Sequence, residues 1–470
     1  MRLRPFLIPM VFALAMGVAG GPACAQRWTP LTGMLAPESD GGAETGALAD
    51  PVKPKDDQPP AQSAPAPSGV ATSKLSLRAT LESTTTDGQP HGSLAVRTMG
   101  IDADLSDALG LPAGQGAIVT EASSATAKSA GILPGDVIQK FEGRDVASAD
   151  ALGEDLRKLN PGQQVTLDVW RAGQGSSDLK RLLVERADAG NVGASASLGR
   201  LLSLGLVFGD KNFSEAATYY LKAADAGHLA SMTRYALFAK DGIGIAKDEA
   251  LAAKWFLKAA ERGQDAAMTN LGSLYETGRG VKQDYAEAAR WYRQAVDKGH
   301  VFAMHKLALL YEAGRGVAKD DQEAVRLLQA ASDKGLSEAT SWLADKYEQG
   351  RGIPKNDSEA YKLSARAAEQ VRRAADLGNA VATFNLGILY RIGKGVKRSD
   401  TEASYWVVRS LKLGDKYLIA ELMRNPNVLS VDDRKWLQEV LRDEGAYKGP
   451  INGSFTPDVR TAMEDIAKRA

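Results

Sequence analysis

Asp265 to His300 reads DAAMTNLGSLYETGRGVKQDYAEAARWYRQAVDKGH, and variants of this stretch recur on both sides of it. Gly299 has counterparts at Gly190, Gly227, Gly263, Gly335, Gly378 and Gly414, and the seven glycines are separated by 37, 36, 36, 36, 43 and 36 residues. Self-similarity at that period is the mark of a helical repeat array. Within the unit, Ala267, Leu271, Leu274 and Tyr275 fall at i, i+4, i+7 and i+8, one face of a first helix. Gly272 lies inside that helix, where glycine costs about 1 kcal/mol relative to alanine, so close approach of a neighbouring backbone is expected there. Gly278 and Gly280 end the helix and make the turn, since glycine reaches the left-handed region without strain. Asp284 caps a second helix, whose inner face carries Ala288, Trp291, Tyr292 and Ala295. Two short amphipathic helices cannot bury their faces alone, so the units must stack.

The unit resembles the SEL-one-like repeat (SLR) family, relatives of the tetratricopeptide repeats, with the pattern A…LG..Y..G.GV..D…A..WY..A…G. Six copies span roughly residues 191–414. The third carries nearly the whole pattern, the fourth keeps LALLYEAGRGVAKD, and the sixth keeps LGILYRIGKGV with Trp406. The second has Tyr235, Ala236 and Trp255 in register, and the first has LLSLGLVFGDK in place of the G.GV turn. In the fifth, Leu363 and Ser364 replace the aromatic pair, and seven extra residues around EQVRRAA precede Gly378. Seven residues add two helical turns, so a protruding second helix is expected. The repeat aromatics read as core. The GRG and GKG turns lack the GxxxxGK[ST] spacing and preceding strand of a phosphate loop.

Residues 1–25 read as a secretory signal: Arg2 and Arg4, the apolar LIPMVFALAMGVAG, and Ala23-Cys24-Ala25 as an A-x-A cleavage site. Export to the periplasm is the expectation, with lipid anchoring at Cys24 as the alternative; GPAC lacks the apolar residue such signals carry three positions earlier. Cys24 is the only cysteine, so the mature chain has no disulfide framework, cysteine nucleophile or thiolate metal site. Residues 26–85, rich in Pro, Ala, Gly and Ser, read as a disordered linker. Basic and acidic residues balance at 58 each, which argues against nucleic acid as a partner. No second apolar run approaches a membrane span, so the mature chain is expected to have no transmembrane segment.

From 86 to 188 the periodicity changes. GAIVTEA and QQVTLDVWRAG read as strands, and SADALGEDLRKL as a helix with Leu152, Leu156 and Leu159 on one face, stopped by Asn160-Pro161-Gly162. This segment resembles a PDZ domain of the bacterial HtrA/Deg kind, on ALGLPAGQGAIVTEA, SAGILPGDVIQKFEGRDV and LRKLNPGQQVTLDVWRAG. The resemblance implies that a protein C-terminus adds as a strand beside this helix, its carboxylate held by backbone N–H groups of a φ-G-φ loop. The matching loop is Ser93-Leu94-Ala95-Val96, with alanine where glycine is usual. Leu94, Ala95, Val96, Leu152 and Leu156 are therefore the candidate peptide-binding residues, the alternative for the leucines being ordinary core. No GxSxG or GNSGG-type serine with a His/Asp partner accompanies them.

Residues 189–427 are assigned to the repeats, including a terminal helix DKYLIAELMRN, and 428–470 to a small helical domain. DRKWLQEVLRDEGAYKGPINGSFTPDVRTAMEDI resembles the small peptidoglycan-binding domain with the pattern LQ..L…GYY.G.IDG.FG..T..A. The candidate motif residues are Tyr447, Asn452, Gly453 and Phe455, and the implied partner is peptidoglycan. Asn452, Thr456 and Val459 depart from the family's aspartate, glycine and threonine. A closing cap on the repeats is the alternative.

The four histidines, His91, His228, His300 and His305, form no metal-ligand spacing. His91 falls in the approach to the PDZ-like segment, and His228 and His300 at turns, where exposure is the default. The carboxylates read as solvated helix faces. No catalytic residue, metal ligand or cofactor is assigned, and the chain reads as a non-enzyme. The expected fold is an α-helical solenoid of about six helix pairs between a β-rich and a helical domain. The expected role is an envelope adaptor that binds envelope proteins or protein C-terminal tails, with a regulatory cofactor of a separate protease or cell-wall hydrolase as the alternative.

Overall fold

A computed structural model describes residues 70–86, 89–414, 416–424 and 426–469. The expected signal over 1–25, Cys24, and the linker up to 69 lie outside the described residues. The chain divides into two units, the second beginning at Met268, and each is described by itself.

The first unit starts earlier than the sequence reading placed it. Strand β1, Thr72–Thr80, pairs antiparallel along its whole length with β8, Gln164–Ala172. The linker expected to reach 85 therefore ends before Thr72. Leu75, Leu77, Ala79 and Leu81 alternate with polar residues and pack on the sheet, a period-two signal masked by the Pro- and Ala-rich residues before it. A hairpin follows, β2 (Glu82–Thr86) with β3 (Gln89–Ser93). Then come β4 (Arg97–Gly100), helix α1 (Ala103–Leu109), β5 (Ala117–Glu121), helix α2 (Ala125–Ser129), β6 (Val137–Phe141), β7 (Arg144–Asp145) and helix α3 (Ala149–Arg157). The sheet order is β1-β8-β6-β5-β4, so β4 is an open edge. Asp136 is fully buried and takes Arg171 in a bidentate pair at 2.6 Å, the geometry that makes such a burial tolerable.

Helix α4, Ser176–Asp188, was assigned with the β-rich segment. It instead pairs with the first repeat, through Lys180 to Glu215 and Asp188 to Lys222, both at 2.9 Å. Two helical hairpins complete the unit: α5 (Val192–Leu204) with α6 (Phe213–Asp225), and α7 (Leu229–Asp241) with α8 (Glu249–Glu261).

The second unit continues with α10 (Tyr285–Asp297), which follows α9 (Asp265–Thr277), and with three further hairpins. These are α11 (Val301–Ala313) with α12 (Asp321–Asp333), α13 (Ser337–Gln349) with α14 (Asp357–Asp376), and α15 (Ala380–Ile392) with α16 (Asp400–Lys412). Each turn closes the same way: the N–H of Asp284, Asp320, Asn356 and Ser399 donates to the carbonyl of Tyr275, Tyr311, Tyr347 and Tyr390, at 2.9–3.0 Å. Gly272 packs against the ring of Tyr292 as well as the Ala288 carbonyl, so an aromatic face shares the place expected for backbone.

Helix α14 has 20 residues where the other repeat helices have 13, and the packing shows where the extra turns go. Gly316 and Gly352, in the turns, press on the carbonyls of Tyr285 and Asp321, the first residues of the preceding second helices. Gly395 presses instead on Ser364, seven residues into α14. Arg293 reaches the hydroxyl of Tyr311, and Arg372 that of Tyr390, which again matches 285 with 364. The sixth repeat therefore docks on α14 seven residues later than the preceding repeats dock on α10 and α12, while the Asn356 N–H closes the α13–α14 turn in the usual register. The sixth repeat is stepped two turns along α14. Tyr361, whose counterparts Ala289 and Val325 are buried, is 70% exposed.

Helices α17 (Lys416–Arg424), α18 (Val431–Asp443) and α19 (Pro457–Lys468) end the chain. They share one hydrophobic core with the sixth repeat, in which Phe384, Val407 and Leu411 join Leu422, Leu437, Val459 and Met463.

Candidate functional site

A cleft of about 200 Å³ lies between the β3–β4 segment and α3, lined by His91, Ser93, Leu94, Val96, Thr98, Leu152, Leu156 and Arg157 among others. Three features build it. Ser148 caps α3 by accepting from the Ala151 N–H at 3.1 Å, which sets Leu152 and Leu156 one turn apart on one face. The N–H of Gly92 donates to the carbonyl of Leu159 at 2.8 Å, fixing the hairpin against the end of that helix. A Cβ on Gly92 would lie 2.5 Å from Leu81 Cδ1, so the closeness needs glycine. Finally, among the described residues β4 pairs with β5 alone, so its outer side is an edge on which another strand can add.

The five residues singled out from sequence do not play one part. Leu94 and Leu152 belong to the domain core, at 1% and 3% exposure, and touch the cleft only from its floor. Val96 and Leu156 are half-buried and form its apolar wall. Ala95 has φ +52°, so it adopts the left-handed conformation of the glycine it replaces, at roughly 1–2 kcal/mol. Its N–H donates to Ser93 Oγ at 3.0 Å, so the serine occupies one donor of the anion nest. His91 lies in β3 and lines the cleft rather than a free approach segment. Sequence reasoning missed it and Arg157 because only the fold brings them together.

The C-terminal motif residues serve a turn. Gln438 is fully buried; its Oε1 accepts from the N–H groups of Asn452 and Gly453 at 3.0 and 2.7 Å, and its Nε2 donates to Ser454 O at 2.9 Å. Tyr447 is buried and donates to Pro450 O at 3.1 Å. Asn452 Oδ1 accepts from Ser454 N–H, and Phe455 packs on the shared core.

His228 and His300 are half-buried and not exposed: each sits at the N-terminus of a helix, with His228 Nδ1 2.8 Å from Ser231 Oγ and His300 Nδ1 3.0 Å from Thr269 Oγ1. His305 is buried, which pushes its imidazole down to about 3, and Lys306 adds to the shift. Several charges expected on solvated faces are also buried. Lys346 pairs with Glu312 at 2.8 Å and Asp345 with Lys394 at 2.7 Å, while burial lifts the Glu338 carboxyl to about 7. Among the described residues no cluster of three or more His, Cys, Asp or Glu could hold a metal ion, and no helix is long and apolar enough to cross a membrane.

The Sel1 repeat family matches residues 193–228, 229–264, 265–300, 301–336, 337–370 and 380–415, and the PDZ domain family matches 97–179. Two similar curated proteins are named probable periplasmic serine endoprotease DegP-like. The one from Bartonella henselae is 33% identical over 84 residues, 18% of this chain and 17% of that protein. The one from Chlamydia trachomatis is 32% identical over 108 residues, 23% and 22%. The chain thus spans about a fifth of the length of these relatives, over the PDZ region. Among solved structures, a Sel1 repeat protein from Oxalobacter formigenes is 30% identical with TM-score 0.41, covering 50% of this chain and 91% of that one. A protective antigen of uropathogenic Escherichia coli displaying an SLR fold is 24% identical with TM-score 0.39, covering 58% and 65%. The chain carries a PDZ domain followed by six Sel1 repeats.

Proposed function

We propose that this chain is an exported, non-enzymatic adaptor of the cell envelope, whose PDZ domain captures the C-terminal tail of a partner protein while the repeats offer further protein-binding surface. The observation that carries this reading is the open edge of β4, with Val96 beside it, facing Leu156 of α3 across the cleft. A tail added there as a strand gains main-chain hydrogen bonds from β4 and seats alternate side chains on the apolar wall. The periplasmic naming of the DegP-like relatives supports an envelope setting. Recruitment of a client to a separate protease or cell-wall hydrolase is the second reading, since the relatives similar to this chain are named periplasmic serine endoproteases. Contact with peptidoglycan has less support, because Tyr447 and Gln438 are spent inside the C-terminal core.

Fluorescence anisotropy with labelled hexapeptides tests the central claim. A peptide with an apolar last residue and a free carboxylate is expected to bind, and its C-terminal amide to bind at least tenfold more weakly. Leu156→Asp is expected to abolish binding without unfolding the domain, because Leu156 is only half-buried. Equal binding of acid and amide sinks the reading.

A further inference from the structure

Helix α1 is acidic, and each of its carboxylates meets a side chain from the repeat end of the same unit. Arg200 Nη2 lies 3.0 Å from Asp102 Oδ2, and His228 Nε2 lies 3.1 Å from Asp104 Oδ2. Asn191 Nδ2 donates to Asp107 Oδ2 at 3.1 Å, and Arg186 donates to the carbonyl of Ala108. A Cβ on Gly193 would lie 2.7 Å from the Asp104 carbonyl oxygen, so α1 and α5 touch through their backbones. The helix is thereby clasped from α4, α5 and the start of α7. Only Ile101 and Asp102 separate α1 from β4, the edge on which a tail would add.

Among the clasping side chains, His228 alone changes charge near neutral pH. Asp104 and Asp102 face it from the PDZ side. Arg200 of α5 shares Asp102, Arg262 at the end of α8 donates to the neighbouring Gly227 carbonyl at 2.8 Å, and Ser231 faces it from α7. The Asp104 hydrogen bond, with the charges of Asp104 and Asp102, raises the imidazole's proton affinity against the opposing effect of burial.

We propose that this clasp is a proton-sensitive latch on the PDZ groove: with His228 charged, α1 is held on the first repeats and β4 is set to receive a tail, and with His228 neutral the hold loosens and tails bind less well. The inference rests on the groove reading above. The charged pair contributes fully below the ordinary histidine value of about 6.5. Its contribution is lost as pH rises through the higher value of the clasped state.

Two readouts on the full chain test it: hydrogen exchange of residues 102–110, corrected for intrinsic rates, and anisotropy with a labelled hexapeptide ending in valine with a free carboxylate. Between about pH 5.5 and 8.5 both protection and affinity are expected to fall, by about fivefold, at the low end of measured couplings. His228→Asn keeps the helix cap, since Asn191 and Asn379 cap the corresponding helices. That variant is expected to lose the pH response and stay at the weaker level. Flat protection in the wild type, or a slope that survives in His228→Asn, overturns the latch. A slope in exchange with none in binding overturns its coupling to the groove. If no peptide binds at any pH, the groove reading fails, and exchange still decides whether the latch exists.

Discussion

Gly272 and Tyr292 show how single residues set the repeat. A Cβ at Gly272 would lie 2.7 Å from the Tyr292 ring and 3.2 Å from the Ala288 carbonyl, and Tyr292 is pinned by its own bond to Glu276 at 2.7 Å. Two effects oppose each other in Gly272→Ala. Alanine favours the helix by about 1 kcal/mol, while overpacking a closed contact costs roughly 1–3 kcal/mol. The contact is closed on both sides, so the variant is expected to unfold at lower urea concentration than the wild type. At the groove, Ser93→Ala frees the Ala95 N–H from an internal acceptor. Tail affinity is expected to rise by about twofold to fivefold, the scale of one net hydrogen bond, in the anisotropy assay. Glu338 gives a prediction with a definite sign. Its folded-state value of about 7 lies above the ordinary 4.5, so its contribution is intact below 4.5 and is lost as pH rises toward 7. Glu338→Gln is expected to remove that loss and stabilise the protein at pH 8 by on the order of 1–3 kcal/mol, read from denaturation at pH 4.5 and pH 8. His305 acts in the opposite direction: stability falls as pH drops below its ordinary 6.5, because protonation must charge a buried ring.

Among the elements, α14 separates what the sequence made legible from what it did not. The 36-residue period, the G.G turns and the capping Asp284 were readable because each follows from local backbone chemistry. The seven extra residues were also countable, but the shift they impose on the next repeat was not. A heptad inserted into a helix leaves the pattern of faces almost unchanged, so only the contacts of Gly395 and Arg372 show that the sixth repeat docks two turns further along α14. The same limit applies to β1, whose alternation lies beside residues of linker composition, and to the cleft, where His91 and Arg157 are remote in sequence. The step predicts a contrast between equivalent positions. Tyr361→Ala is expected to leave the unfolding midpoint unchanged within about 0.5 kcal/mol, whereas Ala289→Tyr, at a buried counterpart, is expected to destabilise severely. Similar losses at both sites would contradict the assigned register.

Taken as whole units, the two halves of the chain differ in how they end. The PDZ domain is held on α4, α5 and the start of α7 by polar side chains and a backbone contact. The last repeat is closed by apolar packing, with Phe384 and Val407 in one core with Val459 and Met463. A repeat array needs such a closing element, because its last apolar face has no further repeat to cover it. Removing residues 428–470 is therefore expected to expose the sixth repeat, lower its denaturation midpoint and increase dye binding to apolar surface. In the intact chain, α18, α19 and the sixth repeat are expected to lose structure in one transition. A separate early transition for the C-terminal helices would contradict a shared core.

The two-turn step at α14 also restricts which lengths evolution could have tolerated there. Helical residues advance by about 100° each, so seven bring the chain round to within about 20° of its starting phase. Eleven would do almost as well, while five would swing the downstream face by roughly 140° and turn Ala367 and Val371 away from their neighbours. Insertions at this site are thus quantised, and the interval of 43 residues between Gly335 and Gly378 is one of the few values that lengthens a repeat without disturbing the next.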